Sequence, residues 1–383
     1  MTDQSIDARA MAEALRLARR ALHTTRENPR VGAVIYASDK ILSAGWHQAP
    51  GHPHAEINAL NALPDRALAR GATCVVTLEP CQHQGRTGPC TQALIEAGIS
   101  RVVMAIEDPN PLVRGRGRQA LIDAGIEVEV GLMATEAALL NPGFIKRMTV
   151  GLPWITLKSA ASLDGKTAMA DGESQWITGS ESRADVQRER ARAGAIVTGI
   201  GTLLADNPRL TVRYAEIGLD PAPLSVDDQP IRVIVDSRAR LPALTNLTDC
   251  PGPVVWVTAV PVENHPLVET RRVTHWYLPD LSGKVDLRAM CQRFAEHGVN
   301  ELFVEAGEHL AGGFIDAGLV DRGLLYLAPK LLGRGARSLY DVAPPDLASA
   351  PQVVFTDVRQ IGDDLRLEWQ LRENEWPWTQ LKR

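Results

Sequence analysis

Apolar residues recur along the chain with two periods, one typical of helices and one typical of strands. Near the start they follow one helix face, which predicts a helix over 7–23 with an apolar stripe of Ile6, Ala10, Ala14, Leu17, Ala18 and Leu22. Runs rich in Val, Ile and Leu predict strands at 31–36, 41–47, 73–78, 101–106 and 126–130. Helical patterns separate most of these runs, and the last helix is predicted from about 133 to 146. This alternation indicates an α/β layered sheet.

A second α/β alternation begins after the VGLP segment at 150–153. Its predicted strands lie at 154–161, 194–200, 231–237, 253–259, 301–307 and 322–329, and the Pro- and Asp-rich stretch 214–230 is predicted to be a surface loop. A chain of 383 residues has the length of two ordinary domains. We therefore predict a first domain over 1–147 and a second over 148–383.

Composition and charge exclude several classes of partner. A hydrophobic content of 45% with 23% charged residues is ordinary for a globular protein. The net charge of −5 offers no basic field for nucleic acid or anionic lipid. No apolar run has the length of a membrane span, and the first residues lack a signal-peptide core. Five cysteines do not form a disulfide framework, so we expect a cytoplasmic protein that binds neither nucleic acid nor a membrane.

Three residues of the first domain have the types and order of a zinc site. HAEINALNAL begins with His54, and TLEPCQHQGRTGPC contains Cys81 and Cys90, each directly after a proline. One imidazole and two thiolates leave a fourth tetrahedral position for water, which distinguishes a catalytic zinc from a structural one. Glu56, two residues after His54, would then move protons between water and a leaving group.

This order matches the zinc deaminases of nucleobases, which combine H-x-E with P-C-x-x-C. Here the second half is P-C-x8-C, so a loop is inserted beside the metal. The plainer alternative is a structural histidine with two buried thiols. The combined order of both motifs favours zinc over that alternative.

NPRVGAVI, HAEINAL, TLEPCQHQGRTGPC and EDPNP together resemble the deaminase half of the bifunctional deaminase/reductase family of riboflavin biosynthesis. The resemblance implies a cytidine-deaminase-like α/β/α domain. It also implies a substrate pocket lined by Asn28, His47, Asp108 and Asn110, and it assigns Arg86 in the inserted loop to the substrate phosphate. Guanidinium suits a phosphate, although Arg86 could also be an ordinary solvated loop charge.

Glycines follow several predicted strands of the second domain. They occur in LKSAASLDGKTAMADGESQWIT, VTGIGTLLADNPRLTVR and LFVEAGEHLAGGF. A glycine loop before a helix presents backbone N–H groups to a phosphate. None of these segments is the G-x-G-x-x-G fingerprint, so a Rossmann domain is unsupported, and each glycine alone could be a plain turn.

Together these segments resemble the reductase half of the same family, whose fold is similar to dihydrofolate reductase and which uses NADPH. For NADPH the resemblance implies contacts with Ala160, Trp176, Thr202, Asp206, Ser237 and the loop formed by Gly307, Glu308, His309, Leu310, Ala311, Gly312 and Gly313. For the ribosyl-phosphate substrate it implies contacts with Ser174, Arg190, Leu210, Arg213 and Glu305, with Lys158 close by.

The resemblance thus predicts two reactions on one pathway intermediate. The first is zinc-dependent hydrolytic deamination of 2,5-diamino-6-ribosylamino-4(3H)-pyrimidinone 5′-phosphate. The second is NADPH-dependent reduction of its ribosyl side chain to a ribityl chain. The resemblance also implies a homo-oligomer, expected to be a dimer.

Two other classes use similar residues. One is a tRNA deaminase, against which the net charge of −5 and the large second domain argue. The other is a non-enzymatic zinc module, which would need a fourth protein ligand.

Overall fold

The structure, a computed structural model, describes residues 3–82, 88–218, 225 and 228–372. The chain divides into two compact units, the first ending at Gly151 and the second beginning at Leu152. The boundary predicted after residue 147 lies within a helix that runs from Pro142 to Val150. The division therefore comes just after that helix ends, at the left-handed Gly151.

The described residues of the first unit form five strands and six α-helices. In chain order they are α1 (Asp3–Arg19), β1 (Gly32–Ala37), β2 (Lys40–Trp46), α2 (Ala55–Asn61), β3 (Thr73–Val76), α3 (Cys90–Ala97), β4 (Arg101–Met104), α4 (Arg116–Asp123), β5 (Glu127–Val130), α5 (Ala134–Leu140) and α6 (Pro142–Val150).

The five strands of the first unit form one sheet in the order β2-β1-β3-β4-β5. Strand β1 is antiparallel to β2 and β3, whereas β3, β4 and β5 are parallel. The carboxyl ends of β3 and β4 therefore meet at one edge of the sheet, where ligands commonly bind in α/β folds. All five predicted strands of this unit are confirmed.

Two glycines let helices pack directly on the strands of the first unit. A Cβ at Gly32 would lie 2.0 Å from the carbonyl oxygen of Ala14 on α1. A Cβ at Gly45 would lie 2.5 Å from the backbone nitrogen of Ala59 on α2. Because only glycine permits this approach, α2 is fixed against β2, and the HAE segment at its start is fixed with it.

The helix predicted from 133 to 146 is wrong as a single element. The structure has two helices there, α5 and α6, joined at Asn141 with a non-helical backbone (φ −126°). Pro142 is the first residue of α6. Proline lacks the N–H that a continuous helix needs, so it can begin the second helix but cannot extend the first.

The second unit contains the remaining strands and helices. They are β6 (Trp154–Ser162), β7 (Lys166–Ala168), α7 (Ser180–Arg192), β8 (Ala195–Gly199), α8 (Ile200–Asp206), β9 (Ile231–Val235), β10 (Val254–Thr258), α9 (Pro266–Glu269), β11 (Thr274–Tyr277), α10 (Leu287–Glu296), β12 (Glu301–Glu305), α11 (Glu308–Asp316), β13 (Arg322–Ala328), β14 (Arg337–Ser338), β15 (Val353–Ile361) and β16 (Asp364–Leu371).

A nine-stranded sheet in the order β11-β10-β9-β8-β12-β6-β13-β16-β15 dominates the second unit. The strands from β11 to β13 are parallel, and β16 and β15 add an antiparallel hairpin at one edge. The chain runs outward from β8 to β11 and then returns to insert β12 between β8 and β6. A crevice at such a reversal of strand order is a common ligand site.

All six predicted strands of the second unit are confirmed, and the described residues contain five additional strands, β7, β11, β14, β15 and β16. No helix in the described part of the chain combines the length and apolar character that crossing a membrane requires. None of the five cysteines is in a disulfide bond.

Candidate active sites

In the first unit the three predicted zinc ligands come together. The Nδ1 atom of His54 lies 3.2 Å from the sulfur of Cys90 and 3.5 Å from the sulfur of Cys81. The two sulfurs are 3.4 Å apart. Residues that lie 9 to 36 positions apart in sequence thus present three soft ligand atoms to one point.

The ends of three elements position these ligands. His54 is the residue immediately before α2, and its extended backbone turns the chain into that helix. Cys81 follows the end of β3, and Cys90 is the first residue of α3, after Pro89. The backbone N–H of Cys90 is directed at the Cys81 sulfur at 3.4 Å, so the start of α3 favours a thiolate there.

The chemistry of this set fits a zinc ion. Hydrogen bonding to Cys90 lowers the pKa of the Cys81 thiol to about 4, which favours the thiolate that binds metal. The ligand atoms of the three residues lie within 4.8 Å of one another, and the cluster has three members in the described part of the chain. Three protein ligands are the number expected for a catalytic zinc.

Glu56 lies beside the ligands without belonging to their cluster. It is only 3% exposed, and burial together with the nearby Cys81 raises the pKa of its carboxyl to about 7. A carboxyl with a pKa near the working pH can accept and return a proton with equal ease. The position of Glu56 beside the metal ligands therefore suits a residue that carries protons.

Asn28 and His47 are hydrogen-bonded to each other next to the metal ligands. The Asn28 amide nitrogen lies 2.9 Å from Nε2 of His47, and Nδ1 of His47 lies 3.2 Å from the carbonyl oxygen of Pro53. A carbonyl only accepts, so Nδ1 carries the proton and Nε2 accepts from Asn28. Burial lowers the pKa of His47 to about 4, which keeps the ring neutral. The ring of His47 packs edge-on against that of His54, with 5.4 Å between the ring centroids.

Asp108 and Asn110 lie in the loop after β4. Asp108 accepts a hydrogen bond from the backbone N–H of Asn110, and Asn110 accepts one from that of Leu112, so both side chains shape the loop that carries them. The buried carboxylate of Glu79 binds the same loop. Glu79 matches no catalytic motif, although a charged residue at the end of a buried strand is itself a sequence signal for a specific role.

Arg86, predicted to bind the substrate phosphate, lies outside the described residues, as does the rest of 83–87.

In the second unit, three of the predicted substrate residues form one half-buried ionic cluster. Glu305, the last residue of β12, is paired in register with Lys158 on β6, and Nζ of Lys158 lies 3.9 Å from its carboxylate. The Arg190 guanidinium donates two hydrogen bonds to the same carboxylate, one of them at 3.0 Å. Burial lowers the pKa of Lys158, with Glu305 opposing the shift. Two cations therefore share one carboxylate at the carboxyl end of β12.

Side-chain amides hold the segment that carries Leu210 and Arg213. Gln187 on α7 accepts a hydrogen bond from the backbone N–H of Arg213 at 3.0 Å, and Gln229 accepts one from that of Val212 at 2.7 Å. The Leu210 backbone is left-handed (φ 52°), which is costly for a branched residue and is often found at binding sites. The Arg213 side chain is exposed and pairs with Glu216 on its own segment.

Most predicted cofactor residues lie at or after the carboxyl ends of neighbouring strands. Thr202 and Asp206 are on α8, directly after β8, and Ser237 follows β9. Ala160 is a half-buried residue of β6. The Ser237 hydroxyl already accepts a hydrogen bond from the backbone N–H of Val285 at 3.1 Å.

Trp176 and Ser174 lie in the irregular segment between β7 and α7. Trp176 is 62% exposed, and the Arg183 guanidinium stacks on its ring at 4.5 Å. The Lys330 ammonium donates a hydrogen bond of 2.7 Å to the carbonyl oxygen of Trp176.

The loop predicted over 307–313 is wrong as a loop. Gly307 caps α11, and residues from Glu308 onward are helical. Ala311 and Gly312 are buried, and a Cβ on Gly312 would lie 2.1 Å from the carbonyl oxygen of Asp341. Gly312 thus permits close packing of the chain on α11, whereas the first turn of α11, from Gly307 to Leu310, is exposed or half-buried.

Comparisons with known proteins match each unit to a family. Residues 4–106 match the family described as the cytidine and deoxycytidylate deaminase zinc-binding region. Residues 153–367 match the family described as the RibD C-terminal domain. With the α/β structure of both units, these matches confirm the predicted fold class, a cytidine-deaminase-like domain followed by a dihydrofolate-reductase-like domain.

Several proteins are similar to this chain over nearly its whole length. Riboflavin biosynthesis protein RibD of Escherichia coli is 46% identical over 361 residues, which are 93% of this chain and 97% of that protein. The Acinetobacter baumannii RibD structure superposes with a TM-score of 0.88 at 40% identity, covering 96% of this chain and 99% of that one. A Thermotoga maritima structure, named a diaminohydroxyphosphoribosylaminopyrimidine deaminase/5-amino-6-(5-phosphoribosylamino)uracil reductase, superposes with a TM-score of 0.84 at 30% identity, covering 97% of this chain and 100% of that one.

Proposed function

The chain belongs to the RibD family of bifunctional riboflavin-biosynthesis enzymes, and from that premise we propose the substrate and the residues that act on it. The protein is an enzyme with a zinc-dependent hydrolase activity and an NADPH-dependent oxidoreductase activity. The substrate we propose is the one in the name of the Thermotoga maritima relative, a diaminopyrimidinone that carries a ribosylamino 5′-phosphate. The His54–Cys81–Cys90 cluster with Glu56 beside it is the observation that carries the proposal.

Glu56 is the proton carrier of the proposed deamination. His54, Cys81 and Cys90 hold the zinc, which when bound supplies Lewis-acid activation of water. The Glu56 carboxylate takes a proton from the attacking water and returns it to the amino nitrogen, which leaves as ammonia. Burial of Glu56 suits both transfers because neither protonation state is strongly preferred near neutral pH.

Asn28 and His47 orient the pyrimidine in this proposal. The Asn28 amide nitrogen is engaged by His47, which leaves the Asn28 amide oxygen free to accept from an amino group of the substrate. The carbonyl of Pro53 fixes the tautomer of His47 and thereby the direction of the Asn28 amide. A ring that carries amino groups is the class of substrate that such an acceptor selects.

Lys158, Arg190 and Glu305 form the centre of the proposed reductase site. When bound, NADPH supplies a hydride for C1 of the ribose. Opening of the sugar ring leaves an oxygen that needs a proton, and Lys158 is a donor whose burial lowers its pKa toward neutrality. Glu305 holds the ammonium of Lys158 and the guanidinium of Arg190 in place for the sugar and its phosphate.

Removal of zinc is expected to separate the two activities. We expect a chelator to abolish ammonia release from the diaminopyrimidinone phosphate, because activation of water requires the metal. NADPH oxidation with the already deaminated substrate should continue, since the reductase residues belong to the other unit. Ammonia and NADPH absorbance are followed in parallel, with re-addition of zinc as the control. Continued ammonia release from zinc-free protein would contradict the proposal.

Arg86→Ala is expected to weaken binding of the phosphorylated substrate about 10-fold. A charge-assisted hydrogen bond to phosphate contributes roughly this much, about 1.5 kcal/mol. Zinc content and the reductase activity should not change. The KM for ammonia release is measured with the phosphorylated substrate and with its dephosphorylated analogue, and equal increases for both would exclude a phosphate contact.

We also propose that the enzyme is a cytoplasmic homodimer that binds a small molecule and no nucleic acid. The family resemblance supports the dimer, and the net charge of −5 argues against a polyanionic substrate. Light scattering of the purified chain gives its mass directly, and a mass of about 42 kDa would mean a monomer. An RNA oligomer tested beside the small substrate should release no ammonia.

A further inference from the structure

We propose that Glu79 is a positioning residue of the deaminase, which fixes the loop carrying Asp108 and Asn110 relative to the metal-binding segment. The inference rests on the proposed function, since it takes Asp108 and Asn110 as residues that meet the substrate. Glu79 lies two positions before Cys81, at the end of the segment that continues β3. It is therefore well placed to connect the metal ligands to a second part of the site.

The Glu79 carboxylate binds three backbone N–H groups of one loop. One oxygen accepts from Asp108 at 2.9 Å and from Gly115 at 3.0 Å. The other accepts from Arg118, in the first turn of α4, at 2.9 Å. The backbone N–H of Glu79 itself donates to the carbonyl oxygen of Ile106, just before the loop, at 3.0 Å. A single residue thus holds both ends of the segment 106–118.

Between these two ends the loop is closed by its own side chains. Asp108 accepts from the backbone N–H of Asn110, and Asn110 accepts from that of Leu112, each at 3.0 Å or less. The carbonyl oxygen of Asn110 accepts from Val113 and Arg114, both at 2.9 Å. Because the loop is cross-linked internally, fixing its ends fixes the positions of Asp108 and Asn110 as well.

Close packing brings the same loop against the residue next to Cys81. A Cβ added to Gly117 on α4 would lie 2.0 Å from the carbonyl oxygen of Pro80. The start of α4 therefore lies directly on the chain between Glu79 and Cys81. Hydrogen bonds and packing act at the same place, so a shift of the loop relative to the metal ligands is opposed by both.

Only a glutamate satisfies this arrangement. Three N–H donors need at least three acceptor lone pairs on two oxygens, which a carboxylate provides. A glutamine of the same length would replace one oxygen with an NH₂ group that faces an N–H donor. An aspartate keeps the charge but is one methylene shorter, so it cannot reach both ends of the loop. The carboxylate also lies near the amino end of α4, where negative charge is favourable.

Glu79 acts through the loop and does not touch the reacting atoms. The residue is 5% exposed, and both carboxylate oxygens are engaged by backbone donors. Its loss should therefore affect how the substrate is oriented and bound, while the metal and the second unit stay unchanged. A misplacement of about 1 Å at a catalytic site can reduce rate by up to about 100-fold.

The test compares Glu79→Gln and Glu79→Asp with the parent chain, using the full-length zinc-loaded enzyme. For both variants we expect kcat/KM for ammonia release to fall about 10-fold, mainly through a higher KM, because the loop no longer holds Asp108 and Asn110 in place. Zinc content per chain should remain at the parental value. NADPH oxidation with the deaminated substrate, measured on the same preparation, should be unchanged.

Glu107→Gln is the matched control. It makes the same chemical change in the same segment, but among the described residues Glu107 pairs with the side chains of Arg114 and Arg118, at 3.2 and 3.3 Å. These pairs are partly exposed and contribute little. We expect its KM to stay within about two-fold of the parent.

A double-mutant cycle tests whether Glu79 acts through the loop. Asn110→Ala alone should raise the KM, and Glu79→Gln added to it should raise the KM by a smaller factor than it does in the parent, because one of the two residues that Glu79 positions is already lost. Independent, multiplicative effects of the two substitutions would overturn the proposal.

The remaining outcomes also decide it. Parental KM in both Glu79 variants overturns the inference, and so does loss of zinc from Glu79→Asp, since Glu79 would then support the metal ligands. If Glu79→Gln alone loses zinc, the inference is still supported by a Glu79→Asp variant that keeps its zinc and has a raised KM. Failure of the proposed function looks different, because the parent chain would then release no ammonia from the diaminopyrimidinone phosphate.

Discussion

Glu56→Gln is expected to reduce ammonia release by a factor of about 100 or more, which corresponds to about 2.7 kcal/mol of transition-state stabilisation. Glutamine has nearly the shape of glutamate but cannot take a proton from water and return it to the leaving nitrogen. Glu56 is buried beside the cluster of His54, Cys81 and Cys90 but is not a member of it, so zinc should remain bound.

Three measurements on one preparation test this expectation. They are ammonia release from the diaminopyrimidinone phosphate, zinc per chain, and NADPH oxidation with the deaminated substrate. The reductase rate is the internal control, because Glu56 and the reductase residues belong to different units. Near-parental ammonia release would remove Glu56 from the mechanism, and loss of zinc would make it a support for the ligands.

Gly307→Asp is expected to raise the NADPH dissociation constant about 30-fold. The added carboxylate would occupy the amino end of α11, where it takes the backbone donors that a cofactor phosphate needs and repels the phosphate charge. A repulsion of about 2 kcal/mol in a partly solvated site corresponds to this factor. The fold should tolerate the change, because Gly307 has an ordinary φ of −70° and no atom lies within 4 Å of an added Cβ.

Gly307→Asn is the matched control for Gly307→Asp. Asparagine has the same size and also caps helices well, but it carries no charge. Titration of NADPH into both variants, with melting curves beside it, separates charge from structure. Both variants should melt at or above the parental temperature. Parental NADPH affinity in both variants would show that no anion is bound at this helix end. A substitution at Gly312 could not test the cofactor site, because any side chain there would clash with the backbone of Asp341.

The sequence by itself determined the alternation of strands and helices and the metal-binding set. Alternating or continuous apolar runs mark strands that are buried in a sheet, and every strand predicted in this way is present. His54, Cys81 and Cys90 were found because few other roles require those residue types directly before a helix and after prolines. Both signals lie within short stretches of sequence, so they can be recognised without knowledge of the fold.

Other local signals in the sequence mark features that hydrophobic periodicity alone does not predict. Pro142 inside an apolar helical pattern marks the break between α5 and α6, which periodicity alone does not detect. The hairpin of β15 and β16 turns at Gly362, which has a positive φ of 58°, and the following strand β16 alternates polar and apolar residues. β15 is mostly exposed, so its pattern lacks the apolar face by which strands are usually recognised.

Only the tertiary structure decided what several single residues do. Gly312 seemed to belong to a cofactor loop, but it is buried in α11 against Asp341, a residue 29 positions away. Glu79 binds backbone N–H groups of a loop that begins 29 positions later at Asp108. Backbone groups are the same in every residue except proline, so their pairing leaves no mark in the sequence. Contacts of this kind depend on which segments the fold brings together, and for that reason the sequence named the residues of the chemistry while the tertiary structure identified the residues that hold them in place.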